Sequence, residues 1–264
     1  MGKRDRGAAG LRLPPDVTSA GEGDTARLGL AAVDLSVVVP CFNEERRLPG
    51  ALQVAERFLE PSGRSFELIL VDDGSTDRTR SLIRSAQEAT PYIRAVRVLP
   101  NRGKGRAVAE GVLTSRGDLV LVSDVDFSAP IEELAKLEDA IGRGADVAIG
   151  SRAKRGAREV DQPLHRRVMG KTFNLLVQTL LLPGIWDTQC GFKLMRGEVA
   201  RELAANLRIE GFAYDVELLY LAGLSGYRVT EIPVRWINSD ITRVSALRDS
   251  SRMFRDVMKL RFQR

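Results

Sequence analysis

Three short apolar runs in this 264-residue chain are each followed at once by acidic or polar residues. Leu35–Val39 leads into Pro40-Cys41-Phe42-Asn43-Glu44, Phe66–Val71 into Asp72-Asp73-Gly74-Ser75, and Leu119–Val122 into Ser123-Asp124-Val125-Asp126. Continuous apolar runs of this length, rich in β-branched residues, read as strands buried on both faces. In an open α/β sheet, ligands bind beyond the carboxyl ends of the strands, so the three clusters point at one crevice. Asp124 and Asp126, two residues apart at a strand end, can approach one point. Taken singly, Asp72 and Asp73 read as turn or helix-capping residues. Taken together, carboxylates crowded on one edge repel unless a cation or hydrogen-bond donors compensate them. One histidine and two cysteines leave no set for a Cys/His zinc site, so any metal is a hard cation on carboxylates.

The elements that must position these groups alternate along the chain. Helical spacing over Glu44–Leu59 puts Leu48, Leu52, Ala55 and Leu59 on one side. Ser75 or Thr76 can cap a second helix running to Glu88. A strand Ile93–Leu99, a helix Gly103–Thr114, the strand Leu119–Val122, a helix Ile131–Ile141 and a strand Val147–Ile149 follow. This order predicts an α/β fold, a Rossmann-like, mostly parallel sheet flanked by helices in a single domain. Beyond Gly150, residues 151–165 are polar, basic and Gly-containing, and predict a mobile loop of the lid kind. A helix Val168–Leu182, a loop 183–192, a helix Ala213–Leu224, a strand Arg228–Ile232 and a last helix Val244–Phe262 complete the pattern.

Composition excludes several classes. With 44% apolar residues the chain can bury a core, which rules out disorder of the whole chain. Residues 1–33, dominated by Gly, Pro and charge, predict a disordered tail without the apolar core of a secretory signal. No run reaches the length of a membrane-spanning helix, and two cysteines point to a reducing compartment. The net charge of +5 is local: residues 235–264 hold eight Arg/Lys against three Asp, and residues 152–171 seven against two acids. In the last helix Val244, Leu247, Phe254, Val257 and Met258 share one side, and Arg248, Arg252, Arg255 and Lys259 form a stripe on another. Such patches predict an anionic partner.

The segments VVVPCFNEE, LILVDDGSTD, NRGKGRAVAEG, DLVLVSDVDFSAP and DTQCGFKLM, in this order, resemble the family 2 glycosyltransferases of GT-A fold. Within that family they look most like the dolichyl- or polyprenyl-phosphate β-glucosyltransferases. The match runs from about Leu35 to Arg261. The resemblance implies a sugar-nucleotide donor, Mg²⁺ or Mn²⁺, and inversion at the anomeric carbon. It implies a GT-A domain over 34–235, with 34–127 as nucleotide-binding half and 128–235 as acceptor half, followed by a basic amphipathic helix in 236–264. Pro40, Phe42 and Glu44 then frame base and ribose, with Phe42 where Tyr is commoner. Asp72 accepts from a base N–H with Asp73 beside it, and Lys104 contacts the nucleotide. Asp126 binds the metal, Asp124 contacts metal or ribose, and Ser128 supplies a third ligand. Arg152 and Arg243 bind phosphate or acceptor, and Gln189, Cys190, Gly191 and Trp236 line the sugar pocket. Asp215 is the favoured base, with Asp187 and Glu217 as the other carboxylates. His165 in the basic loop reads as a surface residue.

A hydroxyl acceptor needs such a base, whereas a lipid phosphate is already anionic at neutral pH. The resulting expectation is a metal-dependent glucosyltransferase, carrying glucose from UDP-glucose to a polyprenyl phosphate at the cytoplasmic face of an anionic membrane. The alternative within the class is another sugar, such as mannose from GDP-mannose, or a soluble acceptor. A nucleic-acid-binding protein would account for the basic patches, but not for acidic strand ends or for few aromatics near the basic runs.

Overall fold

Along Val33–Cys41 (β1) the side chains divide between two cores. Leu35, Val37, Val39 and Cys41 join one apolar cluster, and Val38 joins the other. A strand covered on both faces is the arrangement its unbroken apolar run dictates. The computed structural model describes residues 33–160, 164–238 and 246–263, and residues 33–264 cluster as one compact unit. The expected tail and Arg243 lie outside the described residues.

The remaining strands of the sheet are Phe66–Asp72 (β2), Ile93–Arg97 (β3), Gly117–Val122 (β4), Val147–Ser151 (β5), Lys193–Arg196 (β7) and Val229–Pro233 (β8). They lie in the order β3-β2-β1-β4-β7-β5-β8, and every pairing is parallel except those of β7. The order reverses between β1 and β4, which opens a crevice at their carboxyl ends. One face carries the helices Leu48–Leu59 (α1), Thr79–Ala89 (α2) and Leu134–Gly142 (α4). The other carries Lys104–Thr114 (α3), Leu164–Leu180 (α5), Gly197–Asn206 (α6), Tyr214–Leu224 (α7) and Ala246–Gln263 (α8). Each fully buried Leu, Ile or Val on these faces contributes roughly 1.5–3 kcal/mol.

Four local expectations are corrected. First, α1 begins at Leu48, four residues later than its spacing suggests, because the preceding loop is tied elsewhere. Asn43, at φ 55°, accepts from the Thr76 N–H at 2.8 Å, and its own N–H donates to Ser75 Oγ at 2.9 Å. Second, neither Ser75 nor Thr76 caps α2, since both are spent on this link between the ends of β1 and β2. Third, the segment expected as a mobile loop contains the strand Arg158–Val160 (β6), paired with Arg235–Ile237 (β9), and its end belongs to α5. Fourth, residues 236–264 are not one helix, because β9 occupies their start and α8 begins at Ala246.

Strand β7 decides the most for function. It runs antiparallel between β4 and β5, with Lys193 opposite both Val122 and Ile149. An antiparallel strand enters where its neighbours leave. Residues 187–192 are therefore delivered to the carboxyl edge, beside Asp124.

Candidate active site

That edge opens into a cleft of about 2470 Å³, lined by the end of β1, by the segments that follow β2, β4 and β5, and by residues of α5 and α8. Its floor holds many carboxylates, and Asp124, Asp126, Asp187 and Asp215 are each paired with Lys or Arg. Asp124 Oδ1 pairs with Lys104 Nζ at 2.6 Å. Asp126 Oδ1 accepts from the Ser128 N–H at 3.1 Å and Oγ–H at 2.9 Å, while Asp126 Oδ2 accepts from Arg47 Nη1 at 2.9 Å. Arg47 also forks on Glu44. Burial alone would lower the pKa of Lys104, but Asp124 and Asp215 outweigh it and hold the ammonium charged.

Asp73 lines the cleft and folds the next loop. It accepts from the Arg102 and Gly103 N–H groups at 2.9 and 2.8 Å and from Asn101 Nδ2 at 2.9 Å. Asp72 lies beneath it, 3% exposed. Its Oδ1 accepts from the Ser75 N–H, while Oδ2 has no hydrogen-bond partner among the described residues and stands 3.7 Å from Arg97 Nε. A buried acceptor left in this state costs about 1–3 kcal/mol, which a bound N–H donor would recover.

On the opposite wall Arg152 makes a two-toothed ion pair with Asp187, Nε to Oδ2 and Nη2 to Oδ1, each 2.8 Å. The Trp236 ring centroid lies 4.8 Å from its guanidinium carbon, so β9 supplies a cation–π lid. Burial alone would raise the Asp187 pKa, but the Arg152 guanidinium outweighs it and holds the carboxyl below its usual range. Helix α7 is buried on nearly every side, so its acids need partners. Asp215 pairs with Lys193, which is 1% exposed and also donates to the Cys190 carbonyl at 2.5 Å. Glu217 accepts from the Arg208 and Ile209 N–H groups at 2.9 and 2.6 Å.

The sequence profile of glycosyl transferase family 2 matches residues 36–204. The dolichyl-phosphate beta-glucosyltransferase of Dictyostelium discoideum is 37% identical over 242 residues, which cover 87% of this chain and 74% of that relative. That of Homo sapiens is 34% identical over 243 residues, covering 87% and 75%. The chain belongs to glycosyl transferase family 2. Its fold is that of solved GT-A enzymes. The glucosyl-3-phosphoglycerate synthase of Mycobacterium tuberculosis, in complex with Mn²⁺, UDP and glucosyl-3-phosphoglycerate, superposes with TM-score 0.63 at 21% identity, covering 95% of this chain and 86% of that one.

For a family 2 enzyme the cleft gathers most residues expected from sequence. Pro40, Phe42, Glu44, Asp73, Lys104, Asp124, Asp126, Ser128, Arg152, Asp187, Gln189, Asp215 and Trp236 all line it. Three expectations change. Asp187, expected as a base candidate, has its carboxylate committed to Arg152 and held below its usual pKa, and it fixes the Arg152 guanidinium. Cys190, expected in the sugar pocket, is fully buried against Gly150, outside the cleft lining, and burial pushes its thiol up to about 12. Gly191 acts through what it lacks: a Cβ there would lie 2.2 Å from Asp124 Oδ2 and 2.6 Å from its Cγ. Only glycine lets the entry to β7 close on that carboxylate.

Gly191→Ala should therefore displace Asp124 and break its Lys104 pair. The expected result is a loss of at least about tenfold in UDP affinity with metal present, since overpacking costs typically 1–3 kcal/mol. Calorimetry with UDP and Mn²⁺ checks this; unchanged affinity would show that the wall gives way instead. Sequence reasoning missed Arg47 and Lys193. A basic residue close to acids at a strand end, Arg47 in NEERR and Lys193 in DTQCGFK, is the signal that could have found them.

Proposed function

We propose that this enzyme transfers glucose from UDP-glucose to a polyprenyl phosphate of the dolichyl kind, in one displacement that inverts the anomeric carbon. The observation that carries the acceptor class is the state of the acids. Asp124, Asp126, Asp187 and Asp215 are each paired with Lys or Arg, and Asp73 and Glu217 are taken up by N–H groups. A hydroxyl nucleophile must give its proton to a base, and these acids are committed. A phosphate monoester, with second pKa about 6, arrives ionised and needs none. The curated relatives carry this activity in their names, which supports both the donor sugar and the acceptor.

The residues take these roles. Residues 34–127 bind the nucleotide, with Phe42 stacking on the base and Asp72 Oδ2 accepting from its N–H. Asp124, Asp126 and the Ser128 hydroxyl form a hard oxygen donor set, and among the described residues no third His, Cys, Asp or Glu joins them. Two carboxylates and a hydroxyl, all hard oxygen donors, would suit Mg²⁺ or Mn²⁺. Bound there, the ion would supply positive charge against that growing on the departing UDP. Lys104 adds a fixed positive charge at the same place. Gln189 and Trp236 contact the sugar, and Arg152, held by Asp187, receives the acceptor phosphate. Arg243 belongs to the same proposal, from sequence alone.

The acceptor end supports a lipid. Met169, Phe173, Leu176 and Met253 line the cleft along α5 and α8. Leu175, Trp186, Phe254 and Phe262 stand exposed. Of the apolar side expected for α8, Val257 packs on the domain together with Leu260, while Phe254 stands 46% exposed. Arg252, Arg255 and Lys259 line the mouth of the cleft. No helix among the described residues is long and apolar enough to cross a membrane. We infer peripheral binding at the cytoplasmic face of an anionic membrane, worth roughly 1 kcal/mol per basic residue near the surface.

The test supplies UDP-glucose and Mn²⁺ with either polyprenyl phosphate or the matching polyprenol in anionic vesicles, across a salt series. Transfer to the phosphate alone, weakening toward about 0.5 M salt, is expected. Comparable transfer to the alcohol would overturn the acceptor class, and preference for GDP-mannose would overturn the donor.

A further inference from the structure

Arg47 precedes α1 and reaches further than any expectation from sequence gave it. Its guanidinium forks on Glu44, with Nε donating to Oε2 at 2.6 Å and Nη2 to Oε1. Nη1 crosses to Asp126 Oδ2 at 2.9 Å, joining residues 79 positions apart. The other Asp126 oxygen already accepts two bonds from Ser128. Oδ2 is thus the oxygen an incoming cation must take or share. The two side chains are only 16% and 17% exposed, so water screens the pair weakly. An arginine does not release its proton, so Arg47 can yield Asp126 only by moving.

A divalent ion entering alone meets this guanidinium on one carboxylate and the Lys104 ammonium on the other. Positive charge would then gather faster than negative. A diphosphate reverses the balance. It also offers Arg47 a second partner whose oxygens match a guanidinium fork. Arg47 lines the same cleft as Asp124 and Ser128.

We propose that Arg47 is a competing counter-ion on Asp126, which keeps the carboxylate from binding a divalent cation tightly until a nucleoside diphosphate enters and draws the guanidinium away. The inference rests on the metal and donor reading given above. It makes metal and nucleotide affinities interdependent, and such coupling is reciprocal. Arg47 is in this sense a positioning residue, acting through Asp126.

The experiment measures Mn²⁺ binding to the full chain by electron paramagnetic resonance of free Mn²⁺, with and without saturating UDP. It compares the natural protein with Arg47→Gln and Arg47→Lys, each checked for an unchanged thermal transition. The natural protein should bind Mn²⁺ at least about tenfold more tightly with UDP than without. Arg47→Gln should bind Mn²⁺ alone about five- to tenfold more tightly than the natural protein, and the gain from UDP should shrink by the same factor. Arg47→Lys keeps the charge without the fork and should fall between. Unchanged or weaker Mn²⁺ binding by Arg47→Gln without UDP overturns the role of Arg47 and leaves the donor reading standing. Absence of Mn²⁺ binding by the natural protein even with UDP overturns both.

Discussion

Asp126→Ala is expected to lower turnover by about three orders of magnitude without unfolding the chain. Asp126 meets the cleft at the end of the β4 loop, with one oxygen on Ser128 and one on Arg47. Removing it leaves the proposed ion with Asp124 as its sole carboxylate. Charge stabilisation of a departing diphosphate is worth several kcal/mol, and each 1.36 kcal/mol is a factor of ten in rate. Fold survival follows from what the side chain leaves behind: Arg47 keeps its Glu44 fork, so its charge stays paired. Steady-state turnover with Mn²⁺, beside a denaturation curve, checks both halves. Turnover equal to that of the natural protein, persisting in EDTA, would remove Asp126 from the chemistry.

Lys193→Met should cost about 3–5 kcal/mol of folding stability, the usual effect of removing one partner from a buried ion pair. Lys193 is 1% exposed and bonds both Asp215 and the Cys190 carbonyl. Methionine fills the volume of the stem but leaves the buried Asp215 carboxylate, in the first turn of α7, without its lysine. The loss should appear as a shift of the denaturant midpoint with unchanged slope. Adding Asp215→Leu to the same chain should recover a large part of it, because a buried pair replaced whole by apolar groups is often neutral. A loss under about 1 kcal/mol in the single variant would mean that water reaches the pair. The double variant also separates stability from chemistry. If Asp215 only orients the acceptor, it should raise KM for the lipid phosphate more than it lowers kcat.

Much of the first half of the sheet was legible in the residues. Runs such as Leu68–Val71 and Leu119–Val122 are long and apolar enough to declare strands, and the helices between them carry a period of 3.6. The acidic strand ends then mark the crevice. Strand β7 was not legible, since four residues are too few for any period to emerge. Helix α6 was missed with it. The loop 151–165 read as a lid because β6 is three residues long and finds its partner, β9, far along the chain.

By itself the sequence determined where the apolar runs stop and which acidic residues stand at their ends. Those are local properties, written in residue type and spacing, and so were the positions of Asp72, Asp124 and Asp126 on one sheet edge. Tertiary structure alone decided what each acid does. Asp187 and Asp215 look alike in sequence, as carboxylates beside apolar residues. Arg152 claims the first across 35 positions, and Lys193 the second across 22. Arg47 reaches Asp126 across 79. An ion pair depends on distances of a few ångströms between residues far apart in the chain, and those distances exist only once β1 lies beside β4 and antiparallel β7 has carried Asp187 and Lys193 to the carboxyl edge.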